Sequence, residues 1–210
     1  FYADCAIEAG CAFVNCMPEF LSSNQKYVEL AKAAKVPLIG DDIKSQVGAT
    51  ILHRVLAQLC VDRGVKINKT SQLNFAGNTD FVNLVKRGET KEFSKQSSVE
   101  SLIPYETEVS VGFGYIGLQK DQKICRLYIE GENFGGNPIE IRLECSIEDS
   151  ANAAGCIIDA IRYAKIGLDR GIGGPLYSAS SYLMKHPPKK VADSEAIANC
   201  EKFIKGEIDW

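Results

Sequence analysis

Gly40-Asp-Asp-Ile-Lys-Ser-Gln-Val-Gly-Ala-Thr50 joins two different patterns. Before it stands the apolar run Val36-Pro-Leu-Ile39, which reads as a short buried strand. After it, Val47, Ile51, Leu52, Val55, Leu56 and Leu59 trace the apolar side of a helix. A strand that ends in a small, acidic, hydroxyl-bearing turn and then opens a helix is where open α/β sheets hold ligands. The helix N-terminus supplies unpaired backbone N–H groups and the positive end of a dipole. Asp41 and Asp42 can orient hydroxyls or a cation, and Ser45 can donate a hydrogen bond. The same residues serve equally well as an ordinary helix cap.

The rhythm continues outward on both sides. Upstream, residues 1–9 read as helix and Cys11-Ala-Phe-Val14 as a strand closed by the turn Asn15-Cys-Met-Pro18. Residues 24–35 read as a second helix. Helix and strand alternating in this way predict a parallel sheet with covering helices. Asn15, at a strand end, suits a ligand contact or a plain turn.

Downstream, the long helix stops at Arg63-Gly64 and a strand runs over 65–75. Asn74, Asn78, Thr79 and Asp80 then form a polar cluster at a strand end, before a helix reaching Arg87. Lys91 and Lys95 are four apart and share a face on a helix. Two ammonium groups there suit an anion between them, or a solvated surface.

From 109 to 147 the period changes to that of strands, at 109–113, 123–130 and 139–147. Leu127, Ile129, Ile139, Ile141 and Leu143 supply the alternation. The last two strands form a hairpin around Gly131-Glu-Asn-Phe-Gly-Gly-Asn-Pro138, so this module is mostly antiparallel. Gly112-Phe-Gly-Tyr-Ile-Gly117 matches a dinucleotide fingerprint in letters only, because no helix follows it. Glu148-Asp-Ser-Ala-Asn152 caps a helix over 153–170, with Ile157, Ile158, Ile161 and Leu168 expected inward, and Gly171-Ile-Gly-Gly-Pro175 ends it. A final helix covers 193–204.

The 210 residues carry a net charge of -3, which gives no basic footprint for nucleic acid. No apolar run approaches the ~20 residues of a membrane span. Eight cysteines, none in a Cys-x-x-Cys pair and most within apolar runs, read as buried free thiols of a cytoplasmic protein. His53 and His186 have no ligand-like spacing, so no metal site is expected. No Ser-His-Asp set and no P-loop are present.

Several longer blocks carry a family resemblance. They are Phe13-Val-Asn-Cys-Met-Pro18, Gly40 to Thr50 as quoted, Gly77-Asn-Thr-Asp80, Lys91-Glu-Phe-Ser-Lys95, Asp121-Gln-Lys123, Ile129-Glu-Gly-Glu-Asn-Phe-Gly-Gly136, Glu148-Asp-Ser150, Asp169-Arg-Gly-Ile-Gly-Gly-Pro175 and Ser181-Tyr-Leu-Met-Lys185. In this order they resemble the later part of inositol-1-phosphate synthases of the archaeal type.

The resemblance implies an α/β fold: a partial Rossmann-like NAD-binding domain over 1–49 and 151–210, around an inserted α+β catalytic and oligomerisation domain over 50–150 with a largely antiparallel sheet. It implies conversion of glucose 6-phosphate to inositol 1-phosphate, the first step of inositol biosynthesis. NAD is recycled: C5 is oxidised, C6 loses a proton, the enolate closes on the C1 aldehyde, and C5 is reduced again. Enolate and alkoxide need nearby positive charge, and phosphate needs cationic and N–H donors. Matched by block, Lys91, Lys95, Lys123, Lys185, Asn74 and Asp80 are the expected catalytic residues. Asn15, Asp42, Ser45 and Asp149 are the expected cofactor contacts, and Asp42 and Asp149 could hold an unidentified cation. The resemblance also implies a homotetramer acting on a small molecule.

The family's glycine-rich NAD loop is not in this stretch, and residue 1 is Phe within a helical pattern. The expectation is therefore an incomplete enzyme that, alone, binds NAD poorly and turns over little. A different NAD-linked dehydrogenase or reductase of the same architecture, or a non-catalytic oligomerising fragment, would also fit the pattern of elements.

Overall fold

A computed structural model describes residues 1–87 and 96–210. The chain divides into two compact units, Phe1–Lys44 with Ala153–Trp210, and Ser45–Asn152. Among the described residues the strands form one three-stranded and one four-stranded sheet.

The first unit holds the parallel sheet. Helix α1 (Tyr2–Glu8) leads into β1 (Phe13–Val14), and α2 (Gln25–Ala34) into β2 (Pro37–Ile39). Asn24 starts α2 by accepting a bond from the Lys26 amide, and Lys35 ends it in the left-handed region at φ 54°. β2 lies between β1 and β7 (Gly174–Pro175), parallel to both. Pro37 is tolerated in this central strand because it is the first residue, where one missing N–H costs little. The core packs Ile39, Ala160, Ala164, Leu176, Leu183, Met184 and Phe203 together.

The sequence pattern missed β7 and the helix Tyr177–Leu183, which are short and rich in serine, alanine and glycine. The long helix Asp149–Asp169 starts inside its expected cap, and Gly171 at φ 68° lies just past its end. Its inward face also differs from expectation. Ala160, Ala164 and Gly167 are buried, whereas Ile158 and Ile161 are more than half exposed. Small residues let this helix approach the sheet closely, and the isoleucines are left outside.

In the second unit, β3 (Lys66–Ala76), β4 (Glu108–Tyr115), β5 (Gln122–Asn133) and β6 (Asn137–Glu148) form a sheet in the order β4-β3-β5-β6. β3–β5 and β5–β6 are antiparallel, the latter the expected hairpin. β3–β4 is parallel, so the sheet is mixed. A parallel neighbour requires a crossover connection. The segment from β3 to β4 supplies one, containing α4 (Thr79–Arg87) and a helical turn at 96–100. The glycines of the Gly112–Gly117 motif lie in and after β4. A Cβ on Gly114 would fall 2.5 Å from the ring of Phe75, so this glycine makes room for an aromatic side chain.

Helix α3 (Ala49–Asp62) buries Thr50, His53, Arg54, Ala57 and Cys60, not the apolar side read from its sequence. Val55 and Leu59 are more than half exposed. The buried side meets a polar file on β3, where Thr70, Gln72 and Asn74 are all inside. All eight cysteines are free thiols, but only Cys60, Cys125 and Cys200 are buried; Cys5 and Cys11 are exposed. No helix among the described residues is long and apolar enough to cross a membrane.

Candidate functional site

Two groups of polar residues stand out, one in each unit. We label the long helix Asp149–Asp169 α5, the helix Tyr177–Leu183 α6 and the last helix, Asp193–Lys205, α7.

In the first unit the chain leaves β2 through Gly40 into the two aspartates. Asp41 is fully buried and faces inward. Its carboxylate accepts bonds from Asn15 Nδ2 (2.6 Å), Ser22 Oγ (2.8 Å) and the Ser22 amide. Burial pushes its pKa up, and these bonds only partly offset that. The Asn15 amide also donates to the Glu19 carbonyl and accepts from the Met17 amide. Asn15, the expected cofactor contact, thus braces the turn beneath Asp41.

Asp42 is held at φ 62° and points the other way. Its Oδ1 accepts from Lys185 Nζ at 2.9 Å, while Oδ2 is buried with no partner among the described residues. The backbone fixes this pair. The Lys185 amide donates to the Asp42 carbonyl, and Asp41 and His186 exchange two N–H···O bonds. Lys44 secures the next step: its ammonium donates to the Ser181 and Tyr182 carbonyls at the end of α6 and lies 3.7 Å from Asp193. Asp42 and Lys185, expected in different roles, are brought together.

In the second unit the pair is Lys123 and Asp149. The Lys123 ammonium, on β5, contacts the Asp149 carboxylate at the start of α5, and both side chains are largely buried. Asp121 stands behind them. Its carboxylate accepts from Asn78 Nδ2 (2.8 Å), the Ser150 amide (3.0 Å) and Ser150 Oγ (2.9 Å), and its carbonyl accepts from the Asp149 amide. Burial works to raise its pKa, but the bonds from Asn78 and Ser150 and the nearby Lys123 charge hold it below the usual carboxylate range. Asn78 also caps α4 by accepting from the Phe81 amide.

Asn152, in the first turn of α5, bonds both backbone groups of Val47 ahead of α3. Three helix starts are thereby stitched together, those of α3, α4 and α5. The start of α3 has no side-chain cap, since its N-cap is Gly48. Ser45 is half-buried and folded against Gly48, where a Cβ would lie 3.1 Å from its own. Asp80 is exposed on the first turn of α4. Asn74 is fully buried in the file below α3, accepting from Gln72 Nε2 at 3.3 Å. Lys91 and Lys95 lie outside the described residues. Among the described residues, no group of three or more His, Cys, Asp or Glu is arranged to hold a metal ion.

Sequence reasoning missed Asp121, Ser150 and Lys44. All three were within quoted blocks, Lys44 two residues after Asp42, Asp121 two residues before Lys123 and Ser150 next to Asp149. The signal was period two on a strand and a hydroxyl at a helix start.

Residues 48–150 match the model of the myo-inositol-1-phosphate synthase family. Across 98% of its length the chain is 48% identical to an inositol-3-phosphate synthase of Mycobacterium tuberculosis. The chain belongs to the myo-inositol-1-phosphate synthase family. It is also 46% identical, over 97% of its length, to an inositol-3-phosphate synthase of Corynebacterium glutamicum. A crystal structure of a myo-inositol-1-phosphate synthase-related protein from Thermotoga maritima superposes on 98% of the chain and 56% of its own, with a TM-score of 0.85 at 29% identity. The chain spans 58% of the length of the Mycobacterium tuberculosis relative and 59% of the Corynebacterium glutamicum one.

Proposed function

We propose that the protein to which this chain belongs converts D-glucose 6-phosphate to 1L-myo-inositol 1-phosphate, a compound also named 1D-myo-inositol 3-phosphate. The observation that carries this reading is the family relation, at 48% identity over nearly the whole chain. The two lysine–aspartate pairs agree with the chemistry it requires.

The second unit suits the sugar phosphate. Helix starts carry unpaired N–H groups and a positive dipole end, which favour phosphate. The uncapped start of α3, with Ser45 beside it, offers such groups, and Lys123 adds a charge whose direction Asp149 sets. In the first unit, taken by itself, the Lys185 ammonium is directed by Asp42 and is of the kind that stabilises alkoxide or enolate charge. Lys91 and Lys95 are assigned the C5 hydroxyl proton and the oxyanion by the same family matching. Asn74 and Asp80 are assigned supporting polar contacts.

The cofactor is NAD, which when bound takes a hydride from C5 and returns it. The residues fit it at Asp42, whose buried Oδ2 lacks a donor and lies past the C-terminal end of a parallel strand, where open α/β sheets receive ligands. A ribose hydroxyl is a donor of the right kind. In the first unit Asp42 would hold the cofactor and Asn15 would keep the turn under it in place; in the second, Ser45 is assigned a cofactor contact by the family matching alone, and Asp149 would orient Lys123. On this reading the first unit is part of the cofactor domain and the second carries catalysis and assembly. Free thiols throughout agree with a reducing, cytoplasmic setting.

The test is the full-length protein with glucose 6-phosphate and NAD, followed by phosphorus NMR. Inositol phosphate with no net NADH is the expected result. Steady NADH accumulation without inositol phosphate would instead mark an ordinary dehydrogenase.

A further inference from the structure

Asp121 has no part in the reading above, yet it ties together the elements that hold Lys123 and Asp149. It directly precedes β5, in the turn two residues before Lys123. Its carboxylate binds both the amide and the hydroxyl of Ser150, and its carbonyl binds the Asp149 amide. The first turn of α5 is therefore gripped at two successive residues. The third acceptor contact, from Asn78, extends the grip to the start of α4.

We propose that Asp121 is a positioning residue: it fixes the first turn of α5 so that the Asp149 carboxylate stays on the Lys123 ammonium. The physical need is plain. A lysine has a flexible four-carbon stem and three rotatable donors, so it aims at nothing by itself. A carboxylate on a fixed helix turn gives it a direction. That carboxylate is fixed only if the turn is, and the Ser150 amide is one of the helix-start donors that need an outside acceptor. Asp121 is that acceptor, reached from the turn that leads into the strand carrying Lys123. Strand and helix start are thus locked to one another through a single side chain. The kinetic part of the test below rests on the synthase reading; the crystallographic part does not.

The experiment uses the full-length protein with Asp121→Asn and Ser150→Ala, each alone and combined with Lys123→Met. Asp121→Asn should lower kcat about 10- to 100-fold while KM for glucose 6-phosphate moves less than about threefold. Ser150→Ala should shift kcat the same way by less. In the Lys123→Met background neither change should cost anything further, because the group being positioned is gone. A crystal structure of Asp121→Asn should show the Asp149 carboxylate off the Lys123 ammonium. An equal loss in both backgrounds would overturn the proposal, since Asp121 would then act on the fold at large. So would a crystal structure with Asp149 still seated on Lys123. If Asp121→Asn does not fold, Ser150→Ala decides through the same two readouts. If the unaltered protein makes no inositol phosphate, the synthase reading fails and the crystal structure alone decides on Asp121.

Discussion

His53 is wholly buried on the inner side of α3 and is neutral there at pH 7. The Thr70 hydroxyl donates to the Tyr128 carbonyl, so it must accept from His53 Nε2 at 2.7 Å, which puts the ring proton on Nε2. Nδ1 has no partner among the described residues. Burial pushes the pKa of the ring down from 6.5 to about 4, with Gln72 opposing weakly. As pH falls below 6.5, the unfolded chain takes up a proton at this ring that the native chain refuses until about pH 4. Stability is therefore full above that window and declines through it, by about 3 kcal/mol in all. His53→Gln should remove this part of the acid sensitivity. Urea midpoints of both proteins at neutral and mildly acid pH check it; an unchanged difference between the two pH values would count against the ring. The lysines lead to a second expectation. Lys123→Met and Lys185→Met in the full-length protein should each lower kcat about 100- to 1000-fold, the usual cost of one preorganised charge, and should also lower the melting temperature, because each leaves a largely buried carboxylate without its partner. Near-normal turnover of either variant would remove that lysine from the mechanism.

At the scale of the element, Gly77 is a tight joint in the second unit, closed in by three backbone atoms. A Cβ there would sit 2.4 Å from the Ile116 carbonyl oxygen and 2.6 Å from the Lys120 nitrogen, both backbone atoms. The turn between β4 and β5 packs directly on the end of β3, where its Lys120 carbonyl accepts a bond from the Gly77 N–H at 2.8 Å. Gly77→Ala should cost about 2–4 kcal/mol, because neither side can yield cheaply; thermal denaturation measures it, and a loss below about 1 kcal/mol would mean the turn is looser than its geometry indicates. Elements of this kind were legible in the sequence where period and punctuation agreed. The hairpin was visible from Leu127, Ile129, Ile139 and Ile141, and α2 from Asn24 at its head. The parallel β3–β4 pairing was not, since strand partners are chosen by residues far apart. The inner face of α3 was not either. Its period marks Val55 and Leu59, but the sheet beneath presents Thr70, Gln72 and Asn74, where His53 bonds Thr70, and Arg54 is turned inward to bond Ser98. In the candidate site, Lys123, Lys185, Asp42 and Asp149 were singled out through the family blocks. Their pairing, Asp42 with Lys185 and Lys123 with Asp149, joins residues distant in the chain, which spacing cannot report.

For the molecule as a whole, the assembly proposed above can be tested at the aliphatic side chains left outside. Val55 and Leu59 are four apart on α3, and Ile158 and Ile161 three apart on α5, so each pair forms a small apolar strip on its own helix. We expect Val55→Glu combined with Leu59→Lys to reduce the assembly size of the full-length protein, read by light scattering. An assembly identical to that of the unaltered protein would place the interface elsewhere. The first unit is also discontinuous, which bears on its birth at the ribosome. β2 emerges early, while its neighbour β7 follows only after the whole of the second unit has been made. At about 5–20 residues per second, the strands of the inserted unit can pair while β2 still has one open edge. The inserted unit should therefore be the earlier of the two to resist protease on stalled nascent chains, and the parallel sheet the later.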